Sequence, residues 1–348
     1  MHKVCLFALA IVLAATASIA QTDDRLRIGV RSDARPFSYR SAHNVDVLTA
    51  ATPGPLAKRK YTGFMVKICD AVLTNMLINP VDKSDPFTEQ DIVIVDVDAL
   101  VAQNPEGSRF DYFGTLPPNG PARLTGDKFD ILCDPATITN ERRSGLILSP
   151  PLFLSGISFI DRPDVTKPPQ PARNECPSHP IFGLVGNTTA AQSGIRAILA
   201  ADELPRYRSL LIDFLNERPS TCAKGPQNYS AVKVYAGHTQ AAKAFCQDDP
   251  EFYYYLGDQE IISANARMNP GCEFENAGRT FTTDRYAIFG KLNYDTPNRA
   301  LHVARFFEIL SQKVPFSPSI LDTAFSDTFI ADKSRALELF FWSIRGPQ

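Results

Sequence analysis

The chain has 348 residues, 44% of them hydrophobic, with 36 basic against 38 acidic side chains and a formal net charge of −2. That length suits two domains, and the balanced charge leaves neither a basic stripe for nucleic acid nor a long solvated tail. The 27 prolines are scattered among apolar segments, as in a globular protein with punctuated loops rather than a disordered one.

The first stretch, MHKVCLFALAIVLAATASIAQ, sets one lysine before a short apolar run and then small residues. Ser18 and Ala20 stand three and one before a cleavage point, so residues 1–20 read as a signal peptide. The run is short for a membrane span of ~20 residues. No later segment is apolar enough to cross a bilayer, and the mature protein is expected to be soluble and exported.

LRIGV (26–30) predicts a strand, followed by the loop RSDARPFSY. GFMVKICDAVLTNM (63–76) has Phe64, Ile68, Val72 and Met76 at helical spacing. DIVIVDV (91–97) and FDILC (129–133) predict strands, the latter breaking at Pro135, and a helical turn begins at Asn140. LFLSGISFI (152–160) predicts one further strand. Three strand-then-helix pairs follow: IFGLVG with TTAAQSGIRAILA, AVKVYAG with HTQAAKAFC, and EFYYYLGD with QEIISANAR. RYAIFG (285–290) is a last strand, and helices fill most of the remainder. Strands alternating with helices imply parallel sheets covered on both faces. The alternation occurs before about residue 150 and again after about 180, with the proline-rich RPDVTKPPQPARNECP between.

Without Cys5, six cysteines remain, an even number at wide spacings with no CxxC, which points to disulfides rather than zinc. Cys69 lies in the first helix and Cys133 ends a strand on which that helix should pack. Cys176 and Cys222 precede IFGLVG and AVKVYAG, and Cys246 and Cys272 precede EFYYYL and RYAIFG. The expected bridges are 69–133, 176–222 and 246–272.

Ligands of open parallel sheets bind beyond the carboxyl ends of the strands. Those ends carry Arg31, Asp33 and Phe37; Pro135, Thr137 and Arg142; Thr188 and Thr189; His238; and Asp258. A zwitterion needs such a set. Its carboxylate wants a forked guanidinium and free N–H groups at a helix start, and its ammonium wants a carboxylate and neutral oxygens. Phe37 is equally readable as core, Asp258 as a helix cap, and Arg31 as a partner of Asp33. No metal motif and no hydrolase or phosphate-loop motif is present, and no cofactor is expected.

Five segments, in this order, resemble the family of bacterial periplasmic solute-binding proteins with the type II fold that bind polar amino acids for ABC transporters. They are GVRSDARPFSY, GFMVKICDAV, DILCDPATITNERRSGLILSPPLFLSG, GNTTA and YYYLGDQEII. The resemblance implies two doubly wound α/β lobes joined by a two-strand hinge. Residues 21–153 and 285–348 would form one lobe and 154–284 the other. It also implies a periplasmic, monomeric protein that passes an amino acid to transporter membrane subunits. Arg142 and Thr137 would hold the α-carboxylate with Thr188 or Thr189, and Asp258 and the carbonyl of Pro135 the α-ammonium. Arg31 in R-x-x-x-x-PFSY, with His238, resembles the glutamate/aspartate branch and implies an acidic ligand.

The chain departs from that pattern at Pro135, where the family has glycine, at the extra Asn187, and in the longer 98–127 segment. That insertion and the C-terminal extension suit an alternative: a partner of another periplasmic protein, with a degenerate cleft. A dehydratase-like enzyme on the same fold is the other alternative, with Asp33 and His238 as the acid–base pair.

Overall fold

The computed structural model describes residues 23–41, 53–104, 107–113, 127–165, 176–218, 229–316, 319–330 and 332–345. The expected signal peptide and most of the proline-rich connector lie outside these residues.

β1 (Leu26–Val30) is followed by the small antiparallel sheet of β2 (Asp33–Ala34), β3 (Ser38–Arg40) and β4 (Tyr61–Thr62), with α1 (Pro55–Lys58) before β4. α2 (Phe64–Ile78) then leads to β5 (Ile92–Asp96), α3 (Val97–Gln103), β6 (Ile131–Thr137), α4 (Asn140–Arg143) and β7 (Ile147–Leu148). β8 (Phe153–Ser155) and β9 (Ile157–Asp161) come next. They are followed by β10 (Phe182–Val185), α5 (Ile195–Ala200), α6 (Arg208–Leu215), β11 (Val232–Tyr235), α7 (His238–Phe245), β12 (Tyr254–Asp258) and α8 (Gln259–Arg267). The chain ends with β13 (Glu275–Asn276), β14 (Asp284–Gly290), α9 (Pro297–Phe316), α10 (Ser319–Ser326) and α11 (Arg335–Ile344).

Two main sheets result. The first runs β5-β1-β6-β14-β7, with β8 also on β14; the second runs β11-β10-β12-β9-β13. Both are mixed rather than wholly parallel. β14 is antiparallel to β6, and β9 is antiparallel to β12. These reversed strands flank the two places where the chain changes sheets. The expected single strand 152–160 is split at Gly156 between β8 in the first sheet and β9 in the second. The return runs from β13 to β14. A Cβ on Gly156 would lie 2.3 Å from the Thr282 carbonyl oxygen, so the crossings touch where a side chain has no room. The Ile157 N–H donates to Thr282 Oγ1 at 2.8 Å. The proline-rich connector joins β9 to β10, inside the second-sheet half rather than between the halves.

Local chemistry explains the helix at 64. Gly63 has φ +116°, and a Cβ there would meet the Phe37 carbonyl at 2.5 Å. The Pro36 and Phe37 carbonyls accept from the Phe64 and Met65 N–H groups at 3.1 and 2.9 Å. The PF loop and the GF helix start are therefore one unit, in which the loop supplies acceptors for otherwise orphaned helix donors. Phe64, Ile68, Val72 and Met76 are all buried, each worth roughly 1.5–3 kcal/mol before the entropy of ordering. Phe37 packs edge-on against Phe64, Phe153, Tyr286 and Phe329 in this core.

β6 does not break at Pro135. It runs to Thr137 with all seven residues buried. Its ladder with β14 shifts register between Ala287 and Phe289, and Pro135 lies in the gap, between the paired residues Leu132 and Ala136. A missing N–H is tolerated at such an irregularity. The stretch 188–200 also departs from the expected continuous helix. It opens with a π-turn over Ala190–Gly194, leaving only six residues in α5.

Cys69 and Cys133 are bridged, as are Cys246 and Cys272. Cys176 is disulfide-bonded, and Cys222 lies outside the described residues. The second bridge forms for a reason other than neighbouring strand starts, because β12 and β14 belong to different sheets. Cys246 caps the end of α7 and Cys272 follows α8, and these two helices pack together. The Cys69–Cys133 bridge closes a loop with a sequence separation of 64. In the chain-entropy account such a closure is worth about 4 kcal/mol. Replacing both cysteines by alanine should lower the unfolding free energy in urea by about that amount. Non-reducing peptide mapping should recover 69–133 and 246–272.

Candidate functional site

The carboxyl ends of β1, β5 and β6 face those of β10, β11 and β12 across a cleft. Arg31, at the end of β1, is 6% exposed. Its Nε lies 2.7 Å from Asp98 Oδ1. Asp98 also accepts from the Ser32 N–H at 2.7 Å. Burial works against the Arg31 charge, but Asp98, Asp134 and Asp33 outweigh it and hold the guanidinium firmly protonated. Its ion-pair partner is Asp98 rather than the expected Asp33. Asp98 is placed by the D-x-D at the end of β5, where Asp96 caps α3 through the Asp98 and Ala99 N–H groups.

Asp33 reaches across the cleft. It accepts from the Thr239 N–H at 3.0 Å and from the Thr239 hydroxyl, in the first turn of α7. Gly237 is needed there, since a Cβ would lie 2.5 Å from Asp33 Oδ2. Burial raises the Asp33 pKa against these hydrogen bonds. His238 is 3% exposed, and its Nδ1 lies 3.0 Å from the Tyr255 hydroxyl. Burial, with Arg31 nearby, pushes its pKa down to about 3, so the ring is neutral.

On β6, Thr137 presents its carbonyl to Arg142 Nη1 at 2.9 Å. The Arg142 guanidinium also lies 4.5 Å over the Phe110 ring. Thr139 caps α4 by accepting from the Arg142 N–H. Burial first, and then Arg109, lower the Arg142 pKa to about 10, while Asp134 and Asp258 oppose them. No carboxylate among the described residues is in ion-pair contact with Arg142.

Sequence reasoning missed Arg109, which belongs to the inserted segment. Its Nε lies 2.6 Å from Asp134 Oδ2, and its Nη2 donates to the Pro135 carbonyl at 3.3 Å. Asp134 is wholly buried, and burial raises its pKa against the pull of Arg109 and Arg31. A tight turn over Arg109–Tyr112 holds the arginine, with Ser108 and Asp111 capping each other's backbone. Phe110, Tyr112 and Phe113 anchor that turn against Phe129, Leu132 and Phe289. The legible signal was SRFDYF, a capping box interleaved with aromatics.

From the other side, Asn187 adopts the left-handed conformation at φ 56°. Its side-chain amide donates to the Gly107 carbonyl at 3.1 Å, joining the second-sheet half to the insertion. The Thr188 hydroxyl donates to the Val185 carbonyl at 2.8 Å, and the Thr189 carbonyl accepts from Ser193. Asp258 is 8% exposed, and its Oδ1 is buried without a hydrogen-bond partner. Burial raises its pKa to about 6 against the Tyr286 hydroxyl beside it, with Asp284 adding to the rise and Arg109 and Arg142 reducing it.

The structure thus sets Arg31, Asp33, Pro135, Thr137, Arg142, Thr188, Thr189, His238 and Asp258 at or near the carboxyl ends of the strands, and of these Arg31 and Thr188 line the cavity between the halves. It leaves Phe37 in the core, at 0% exposure. A cavity of about 20 Å³ lies beside Arg31, Asp98, Arg109 and Thr188, room for about one water. Among the described residues no cluster of three metal-ligating side chains occurs, and no helix is long and apolar enough to cross a membrane.

A carboxyl whose pKa is raised on folding stabilises the folded state below its unfolded value of ~4 and loses that contribution as pH rises through the folded value. For Asp258 the window therefore closes at about 6. Between about pH 4 and pH 6, the ligand-free melting temperature of Asp258→Asn should fall less with pH than that of the wild type. Parallel profiles would contradict the burial of this carboxyl.

No family model matches the chain, and no curated protein sequence matches it. Solved structures do. An ancestral arginine-binding protein bound to glutamine matches over 88% of this chain and 98% of its own, with a TM-score of 0.52 at 13% identity. The arginine-, lysine- and histidine-binding protein of Geobacillus stearothermophilus matches over 89% and 97%, with a TM-score of 0.52 at 14% identity. The solute receptor for L-cysteine of Neisseria gonorrhoeae matches over 88% and 90%, with a TM-score of 0.52 at 16% identity. The chain has the fold of the type II periplasmic amino-acid-binding proteins.

Proposed function

We propose that the protein is an exported, periplasmic receptor that binds a free amino acid between its two halves and presents it to the membrane subunits of an ABC transporter. One observation carries the reading: among the described residues, the half-buried guanidinium of Arg142 and the buried carboxylate of Asp258 have no ion-pair partner. Arg142 donates to the Thr137 carbonyl and lies over the Phe110 ring, and Asp258 Oδ1 has no hydrogen-bond partner among these residues. An α-amino acid complements that pair, its carboxylate on Arg142 and its ammonium on Asp258. The lobes of this reading are residues 21–153 with 285–348, and 154–284. Transport is the role that the fold's amino-acid receptors make natural for such a site.

The ligand is not acidic in this reading. The charge that implied an acidic side chain, Arg31, is already matched by Asp98. An enzymatic role has little support. His238 is neutral and bonded to Tyr255, and Asp33 is engaged by Thr239, so neither expected acid–base group is available. One observation favours the accessory-partner reading, namely that the inserted segment carries Arg109 onto Asp134. Stabilisation by an amino acid would separate the two, since a ligand at 100 times its Kd raises stability by roughly 2.7 kcal/mol and a degenerate cleft gains nothing.

Removing one partner of a buried charge-assisted contact costs on the order of 2–5 kcal/mol. Arg142→Ala should therefore weaken amino-acid binding in calorimetry by more than about thirtyfold, with far-UV circular dichroism unchanged. Arg143, exposed on the same turn, should tolerate alanine. Equal losses for the two variants would refute the assignment.

A further inference from the structure

The charges in the cleft pair off in a way that leaves Arg109 with a distinct task. Arg31 is matched by Asp98, and Asp33 is held by the first turn of α7. Asp284 is bonded to the Thr282 hydroxyl. Asp134 is in ion-pair contact with Arg109, which also donates to the Pro135 carbonyl. That carbonyl and that carboxylate are acceptors an amino-acid ligand would otherwise find free. Arg109 comes from outside the sheets, on a turn locked by its own capping box and aromatic anchors. Its guanidinium sits on a buried carboxylate and a backbone carbonyl, as the end of a basic side chain would.

We propose that Arg109 sets the ligand class: it is a tethered stand-in for the cationic end of a basic amino acid, so the native site takes a neutral amino acid and excludes arginine and lysine. This rests on the amino-acid reading of Arg142 and Asp258. With Arg109 in place, Asp134 and the Pro135 carbonyl are taken, and the pair left to the ligand in the proposed reading is Arg142 and Asp258. Without it, Asp134 has no ion-pair partner among the described residues and can accept the cationic end of a basic side chain. A further guanidinium beside Arg109 would face it and Arg31 as like charges, with Val97, Val101, Val185 and Ala236 as other walls of the cavity there.

The test is calorimetry and thermal shift of the mature chain with L-alanine, L-serine, L-arginine and L-lysine, on the wild type and Arg109→Ala. The wild type should bind alanine or serine and not the basic pair. Arg109→Ala should gain at least about tenfold in affinity for arginine or lysine. Adding Asp134→Asn should remove that gain. If Arg109→Ala does not fold in plain buffer, refolding in millimolar L-arginine against D-arginine replaces the titration. Recovery with the L form alone supports the proposal, and recovery with neither overturns it. A wild type that binds alanine, paired with a variant that gains no basic ligand, overturns the proposal and leaves the amino-acid reading standing. So does a wild type that binds arginine as tightly as alanine. Failure of every amino acid on both proteins overturns both.

Discussion

A carboxylate in the middle of a wholly buried strand has to be neutralised from somewhere. Asp134 lies in β6, whose seven residues are all buried, between the disulfide cysteine 133 and the carbonyls of Pro135 and Thr137. Neither sheet supplies its counter-charge. Arg109 does, from the segment inserted between α3 and β6. A buried charge without a partner costs several kcal/mol, far more than the net worth of the pair once made. The insertion is therefore bound to the cleft floor by a penalty it relieves. Phe110 follows Arg109 into the core and lays its ring under Arg142, so the same turn positions the guanidinium expected to meet a ligand.

The closure of the cleft follows from polar contacts that cross it. Asp33 meets the start of α7, and Asn187 meets the insertion at Gly107. Near the crossing strands, the Ser155 hydroxyl donates to the Glu260 carboxylate. Burial raises the pKa of Glu260 to about 7. Hydrogen bonds to charged groups contribute roughly 1.5–3 kcal/mol each when desolvated. A few of them are comparable to the coupling energies by which ligands shift two-state equilibria. The two halves are thus held together by polar groups that face each other across the cleft, and the chain crosses between the sheets at Gly156 and Thr282.

What the sequence made legible was periodicity and punctuation. The helix at 64 declared itself through Gly63 and four apolar residues at helical spacing, and the structure shows why the glycine is there. The strand ends that converge on the cleft were legible because α/β alternation dictates where ligands lie. Pro135 misled, since a proline reads as a strand end unless it falls in a bulge, and the bulge in β6 shows only once β14, about 150 residues away, is paired with it. The ion-pair partner of Arg31 was not legible either, because Asp98 is distant in sequence and lies in the segment read as an insertion. Phe37 read as a cleft residue because the loop around it is one, whereas its ring turns into the core. Arg109 stayed hidden because a lone arginine in a loop is usually solvated. Only the packing of its aromatic neighbours brings it to a buried carboxylate.

The most direct test of the account is a crystal structure of the mature protein grown with saturating L-alanine. The account predicts the ligand carboxylate within hydrogen-bond reach of the Arg142 guanidinium, its ammonium on Asp258, and Arg109 still seated on Asp134. An amino acid whose carboxylate lies away from Arg142, or an Arg109 side chain displaced from Asp134 by bound alanine, would contradict it.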